Sequence, residues 1–124
     1  MRREGRVDHL WIRVADVAAS KRFYEAVAAQ TGFRLKLDSP ERAQFVDASS
    51  SFSVVHGAPT KHLHLAFPAK ENATVDEFHR VAIEAGYEVN GAPGERPVYH
   101  DGYYGAFVLD PDGNNIEVVS HNRG

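Results

Sequence analysis

Cysteine is absent from this chain of 124 residues, which excludes disulfides, thiolate metal sites and a cysteine nucleophile. The absence fits a reducing compartment, and the cytoplasm is the expected location. Long apolar runs are missing as well. Nothing approaches the roughly 18 consecutive apolar residues that a membrane-spanning helix requires, and Met1-Arg2-Arg3-Glu4-Gly5-Arg6 lacks the apolar core of a signal peptide. No membrane partner is expected. Neither sign of charge dominates: the net charge is −3, with Lys, Arg, Asp and Glu intermixed, so there is no basic stripe to suit nucleic acid. What the chain has in excess is histidine, seven in all, the commonest neutral metal ligand and the side chain that titrates near neutrality. Its length suits one domain over residues 1–124, able to bury enough surface to fold without staples.

Three strand-like segments carry the histidines and an acid in a shared pattern. In Val7-Asp8-His9-Leu10-Trp11-Ile12-Arg13-Val14, alternation puts His9, Trp11 and Arg13 on one face and Leu10, Ile12 and Val14 on the other. The run His62-Leu63-His64-Leu65-Ala66-Phe67 groups His62, His64 and Ala66 against Leu63, Leu65 and Phe67. In Asn115-Ile116-Glu117-Val118-Val119, Glu117 opposes Ile116 and Val118. If the three strands share one curved sheet, His9, His64 and Glu117 converge. Two imidazoles and one carboxylate form a ligand set for a divalent metal that leaves positions open for substrate.

The order of elements occurs twice. In a first module of about 7–57, Asp16 N-caps a helix reaching about Gln30, with Ala19, Phe23 and Val27 on its buried face, and Gly32 ends it. Short strands are then expected at 33–37, 43–47 and 52–55. In a second module of about 62–121, Thr74 and Glu77 read as a capping box, Phe78, Val81, Ala82 and Ala85 mark the buried face, and Gly86 stops the helix. Strands follow at 87–89, 104–109 and 115–119, the last two joined by the turn Asp110-Pro111-Asp112-Gly113-Asn114. The expected fold is α+β, built from two βαβββ units, a duplication read from element order more than from matching letters.

Asp8-His9-Leu10, Ser20-Lys21-Arg22-Phe23-Tyr24 with Gly32-Phe33, His64-Leu65-Ala66-Phe67, and Asp110 through Glu117 together resemble the vicinal oxygen chelate superfamily. That group includes glyoxalase I, bleomycin and fosfomycin resistance proteins, extradiol dioxygenases and methylmalonyl-CoA epimerase. The resemblance spans essentially the whole chain. It implies that the antiparallel-rich sheets form a cup-shaped half-barrel with the helices outside and a metal at its floor. His9, His64 and Glu117 fall on the ligand positions, and Ser53 on the fourth, where a hydroxyl is a poor ligand and would leave a position open. A homodimer is expected, because the family usually pairs and short strands leave edges to cover.

Other candidates have two readings each. Trp11 and Arg13 form either a stacking wall and an anion clamp in the cup or a solvated edge or dimer contact. Phe45 lines the same pocket in the functional reading, and His62 competes with His64. Tyr99, Tyr103 and Tyr104 either supply an acid/base group or lid over the metal or simply cover the core edge. The leading function is a small metal-dependent enzyme, a lyase, isomerase, dioxygenase or transferase, whose substrate chelates Fe(II), Mn(II), Zn(II) or Ni(II) through two vicinal oxygens. The rival is a metal-free protein sequestering a drug in the bleomycin-resistance manner.

Overall fold

The computed structural model describes residues 7–122 and contains two four-stranded mixed sheets. In the first unit, β1 (His9–Val14) leads into α1 (Val17–Ala26) and α2 (Ala28–Thr31), then β2 (Arg34–Ser39), β3 (Arg42–Val46) and β4 (Ser51–His56). The second runs β5 (His64–Pro68), α3 (Asn72–Glu84), β6 (Val89–Glu95), β7 (Tyr104–Leu109) and β8 (Asn115–Ser120). Both sheets have the same order, β1-β4-β3-β2 and β5-β8-β7-β6, with a parallel pair at one edge and antiparallel pairs elsewhere. The α+β fold of two βαβββ modules is therefore present, and neither sheet closes into a barrel.

Local details follow the residues. Asp16 caps α1 by accepting a hydrogen bond from the Ala19 amide at 3.1 Å. The helix expected to run to Gln30 instead breaks at Val27, whose backbone leaves the helical region while its side chain is buried, and a single further turn ends on Gly32 at φ 81°. The capping box does not form. Glu71, in extended backbone, takes the cap position of α3, so Thr74 lies inside the first turn, its amide bonded to the Glu71 carbonyl. The Asp110 carboxylate accepts from the Asp112 and Asn114 amides at 2.9 Å each, closing the predicted turn with Gly113 at φ 84°.

One face of each sheet is buried beneath the helices. Ile12, Val14, Phe45, Phe52 and Val54 in the first sheet, and Phe67, Ala106, Val108, Ile116 and Val118 in the second, enter one core with Phe23, Tyr24 and Phe78. The modules meet at Phe52, which packs on Tyr24, Phe33, Phe45 and Phe67 with ring centroids 4.8–5.7 Å apart. The linker laces them as well. The Arg13 amide donates to Thr60 Oγ1 while the Thr60 amide donates back to the Arg13 carbonyl, and Asn114 bonds both the Thr60 carbonyl and the Leu63 amide. Among the described residues no helix is long and apolar enough to cross a membrane.

Candidate functional site

The opposite faces of the two sheets carry the candidate residues, and strand register shows how. Residues paired across neighbouring strands share a face. In the first sheet the rows are His9–Ser51–Val46, Trp11–Ser53–Gln44 and Arg13–Val55–Arg42. The corresponding rows of the second are His64–Asn115–Leu109, Ala66–Glu117–Phe107 and Pro68–Val119–Gly105. His9 thus corresponds to His64, and Ser53 to Glu117. We call these two faces the floors.

The second floor holds a tight pair. His64 Nε2 lies 2.7 Å from Glu117 Oε1; the imidazole is about half exposed, whereas Glu117 is 1 % exposed. A carboxylate removed from water must be hydrogen-bonded, and Glu117 is bonded at both oxygens, since the Tyr103 phenol donates to Oε2. Burial, and next the bond to Glu117, push the Tyr103 pKa well above the usual range, so the phenol keeps its proton and remains a donor. Gly105 makes this packing possible: a Cβ there would lie 2.8 Å from Glu117 Oε2. Phe107 abuts the His64 ring edge-on at 5.8 Å. Behind Tyr103, whose ring meets the tilted Tyr99 ring with centroids 4.8 Å apart, His100 Nε2 and His121 Nδ1 are 2.8 Å apart.

The donor chemistry of this pair suits a divalent ion in part. Adjacent ligands with bonds of ~2.0–2.2 Å stand roughly 3 Å apart, and His64 and Glu117 already have that spacing with one side open. The third ligand does not join them. Among the described residues no three His, Cys, Asp or Glu side chains gather closely enough to hold a metal, so the expected convergence of His9, His64 and Glu117 fails within one chain. The strand β1 bonds only to β4 and β5 only to β8, so His9 belongs to the other sheet, where it is exposed and its Nδ1 meets Asp8 at 2.9 Å.

Phe45, His62 and Tyr104 stand away from their expected positions, and the other candidates are spread over the first floor and the Tyr103 neighbourhood. Phe45 is fully buried on the helix side, stacked on Phe52, because strand parity places Gln44 and Arg42, not Phe45, on the floor. His62 lies before β5 in left-handed backbone at φ 61° and is exposed, off the strand that was to carry it. Tyr104 faces away, its phenol donating to Asp76 of α3 at 2.6 Å. Tyr99 is 60 % exposed and reaches the pair only through Tyr103. Ser53 is buried and accepts a hydrogen bond from Arg42 Nε at 3.0 Å. Trp11 is 55 % exposed with the Arg42 guanidinium 4.4 Å from its ring centre, and Arg13 stands exposed beside Gly57. Arg42, Gly105 and Phe107 escaped the sequence reading. The alternation of Arg42 and Gln44 against Ala43 and Phe45 was the signal for Arg42.

The family model described as the Glyoxalase/Bleomycin resistance protein/Dioxygenase superfamily matches residues 6–118. Solved structures agree. A glyoxalase/bleomycin resistance protein from Albidiferax ferrireducens T118 is 26% identical with a TM-score of 0.79, covering 94% of this chain and 98% of its own. A glyoxalase/bleomycin resistance protein/dioxygenase family enzyme from Burkholderia phytofirmans PsJN is 24% identical with a TM-score of 0.73, over 91% and 96%. Lactoylglutathione lyase from Agrobacterium tumefaciens shares the fold at 20% identity and a TM-score of 0.72, over 96% of each chain. No curated protein matches the chain.

Proposed function

The chain belongs to the glyoxalase/bleomycin resistance protein/dioxygenase superfamily, and from that premise we propose that it is a metal-dependent enzyme acting on a small molecule with two vicinal oxygens. The observation that carries this reading is the His64–Glu117 pair, a buried carboxylate 2.7 Å from an imidazole that opens to solvent. Buried polar pairs of this kind contribute little net stability, which favours a role in binding. His64 and Glu117 would hold the ion, Fe, Mn, Zn or Ni in the divalent state, together with His9 of a second copy. A bound divalent ion supplies Lewis acidity to a chelated oxygen.

We assign His9 to a second copy because, among the described residues of one chain, no third His, Asp or Glu joins His64 and Glu117, and a twofold dimer that seated the first floor of each copy on the second floor of the other would form two such sites. The chain's own residues then have distinct tasks. Tyr103, protonated at neutral pH, holds one Glu117 oxygen and so turns the other toward His64. Phe107 buttresses the imidazole, and the exposed Trp11 gives the dimer site an apolar wall.

Mixing two dead variants tests the arrangement. His9→Ala and Glu117→Ala should each bind no metal alone. Co-refolded in equal amounts, they should regain about a quarter of the wild-type metal, because half the dimers are mixed and each mixed dimer has one intact site. Metal content by mass spectrometry is the readout. A mixture as empty as its parents, beside a loaded wild type, sinks the shared site. A wild type that takes up no metal favours the sequestering role.

A further inference from the structure

The two floors differ in charge. Arg13, Arg34 and Arg42 occupy floor positions of the first sheet, as partners of Val55, Val46 and Val55, and none makes an ion pair among the described residues. Their row mates in the second sheet, where Arg13 and Arg42 have counterparts, are Pro68 and Gly105. Glu117 is the only carboxylate in the rows described for either floor.

Arg42 is held in a way that its neighbours are not. Its Nε donates to Ser53 Oγ at 3.0 Å, Ser53 being only 1 % exposed, and its guanidinium lies over the Trp11 ring at 4.4 Å. These two contacts fix the plane of the fork and leave both terminal nitrogens with no hydrogen bond among the described residues. A fixed planar fork with two free donor ends is the arrangement that binds carboxylate or phosphate bidentately. An arginine sweeping through solvent would lose more side-chain entropy on binding the same group. Charge points the same way. Arg13, Arg34 and Arg42 share the first floor, whose rows carry no carboxylate, and that positive excess favours an anionic ligand over a neutral one.

Resting on the shared metal site proposed above, we propose that the substrate is an anion whose carboxylate or phosphate, beside its two chelating oxygens, is bound bidentately by Arg42, with Ser53 and Trp11 as positioning residues. Ser53, the family's fourth ligand position by resemblance, thereby orients a cation.

Paired probes test this by calorimetry. Manganese-loaded wild type should bind 3,4-dihydroxybenzoate at least about tenfold more tightly than catechol, which has the same oxygens without the carboxylate. In Arg42→Gln and Arg42→Met the preference should shrink to under about threefold with catechol binding unchanged, and Arg42→Lys should restore only part, because an ammonium cannot bind bidentately. Thermal melting identifies any variant that fails to fold, and the other then decides. Equal binding of the two probes by wild type, or a preference that survives loss of Arg42, overturns the proposal. A protein that takes up no manganese refutes the metal reading and leaves this one to a second arm. There the metal-free wild type should bind inorganic phosphate or benzoate, whichever matches the anchored group, and Arg42→Gln should abolish it. Binding of neither anion by metal-free wild type overturns the proposal.

Discussion

Gly105 stands against Glu117 so closely that a single added carbon would lie 2.8 Å from the carboxylate oxygen Oε2. That carboxylate cannot step aside cheaply, since it is buried and bonded to both His64 and Tyr103. Gly105→Ala should therefore break one of these bonds, costing about 1–3 kcal/mol of stability by overpacking. Metal affinity should fall by about tenfold to a hundredfold, the range for residues that orient a ligand. Urea denaturation and metal titration measure the two effects. An unchanged melting curve with unchanged affinity would show that the carboxylate has room to move.

His64→Ala should remove most of the bound metal, whereas His62→Ala should leave it in place. The first residue touches Glu117 and the second sits in left-handed backbone ahead of β5. Metal analysis of both variants decides, and the opposite pattern would transfer the ligand role to His62.

Ser53→Glu tests the fourth ligand position, on which the resemblance puts residue 53. Arg42 already points Nε at residue 53, so the introduced carboxylate should form an ion pair with the guanidinium. Metal affinity should stay within about threefold of wild type, and the preference for anionic ligands should be lost. Tightening by an order of magnitude would mean that the carboxylate reaches the ion instead.

Tyr24→Phe should stabilise the protein. The Tyr24 hydroxyl is buried and has no hydrogen-bond partner among the described residues, so removing it should gain about 1 kcal/mol. Burial, and after it the charges of Asp110 and Asp112, raise the phenol's pKa above its ordinary value. The unfolded chain thus releases this proton first. Its contribution is fully present below pH ~10 and is lost as pH rises further, by up to about 1.4 kcal/mol per pH unit. Denaturation at pH 8 and pH 11 should show a shallower alkaline loss in the variant. A loss of equal steepness would place the ionisation of Tyr24 at its ordinary value.

Strand parity was readable in the chain, and with it the exposure of His9, Trp11 and Arg13 against the burial of Ile12 and Val14. So was the Asp110–Asn114 turn, because its backbone amides need the Asp110 side chain. What alternation cannot convey is which sheet a strand joins. His9 and His64 occupy matching positions in matching strands, yet pairing set by long-range contacts puts them in different sheets. Phe45 was misplaced for a related reason: a one-residue choice of face reverses every side chain on a strand. At α3 the helix begins one turn before the expected pair, with Glu71 in extended backbone at the cap and no side-chain bond there, so Thr74 and Glu77 lie inside the helix.

The reciprocal bonds between Thr60 and Arg13 lie along the outer edge of β1. An unpaired edge is a template on which further chains can add strand by strand without limit. With the amide and carbonyl of Arg13 already occupied by the linker, that route is interrupted partway along the strand. Open-ended growth along this edge is thereby blocked at Arg13.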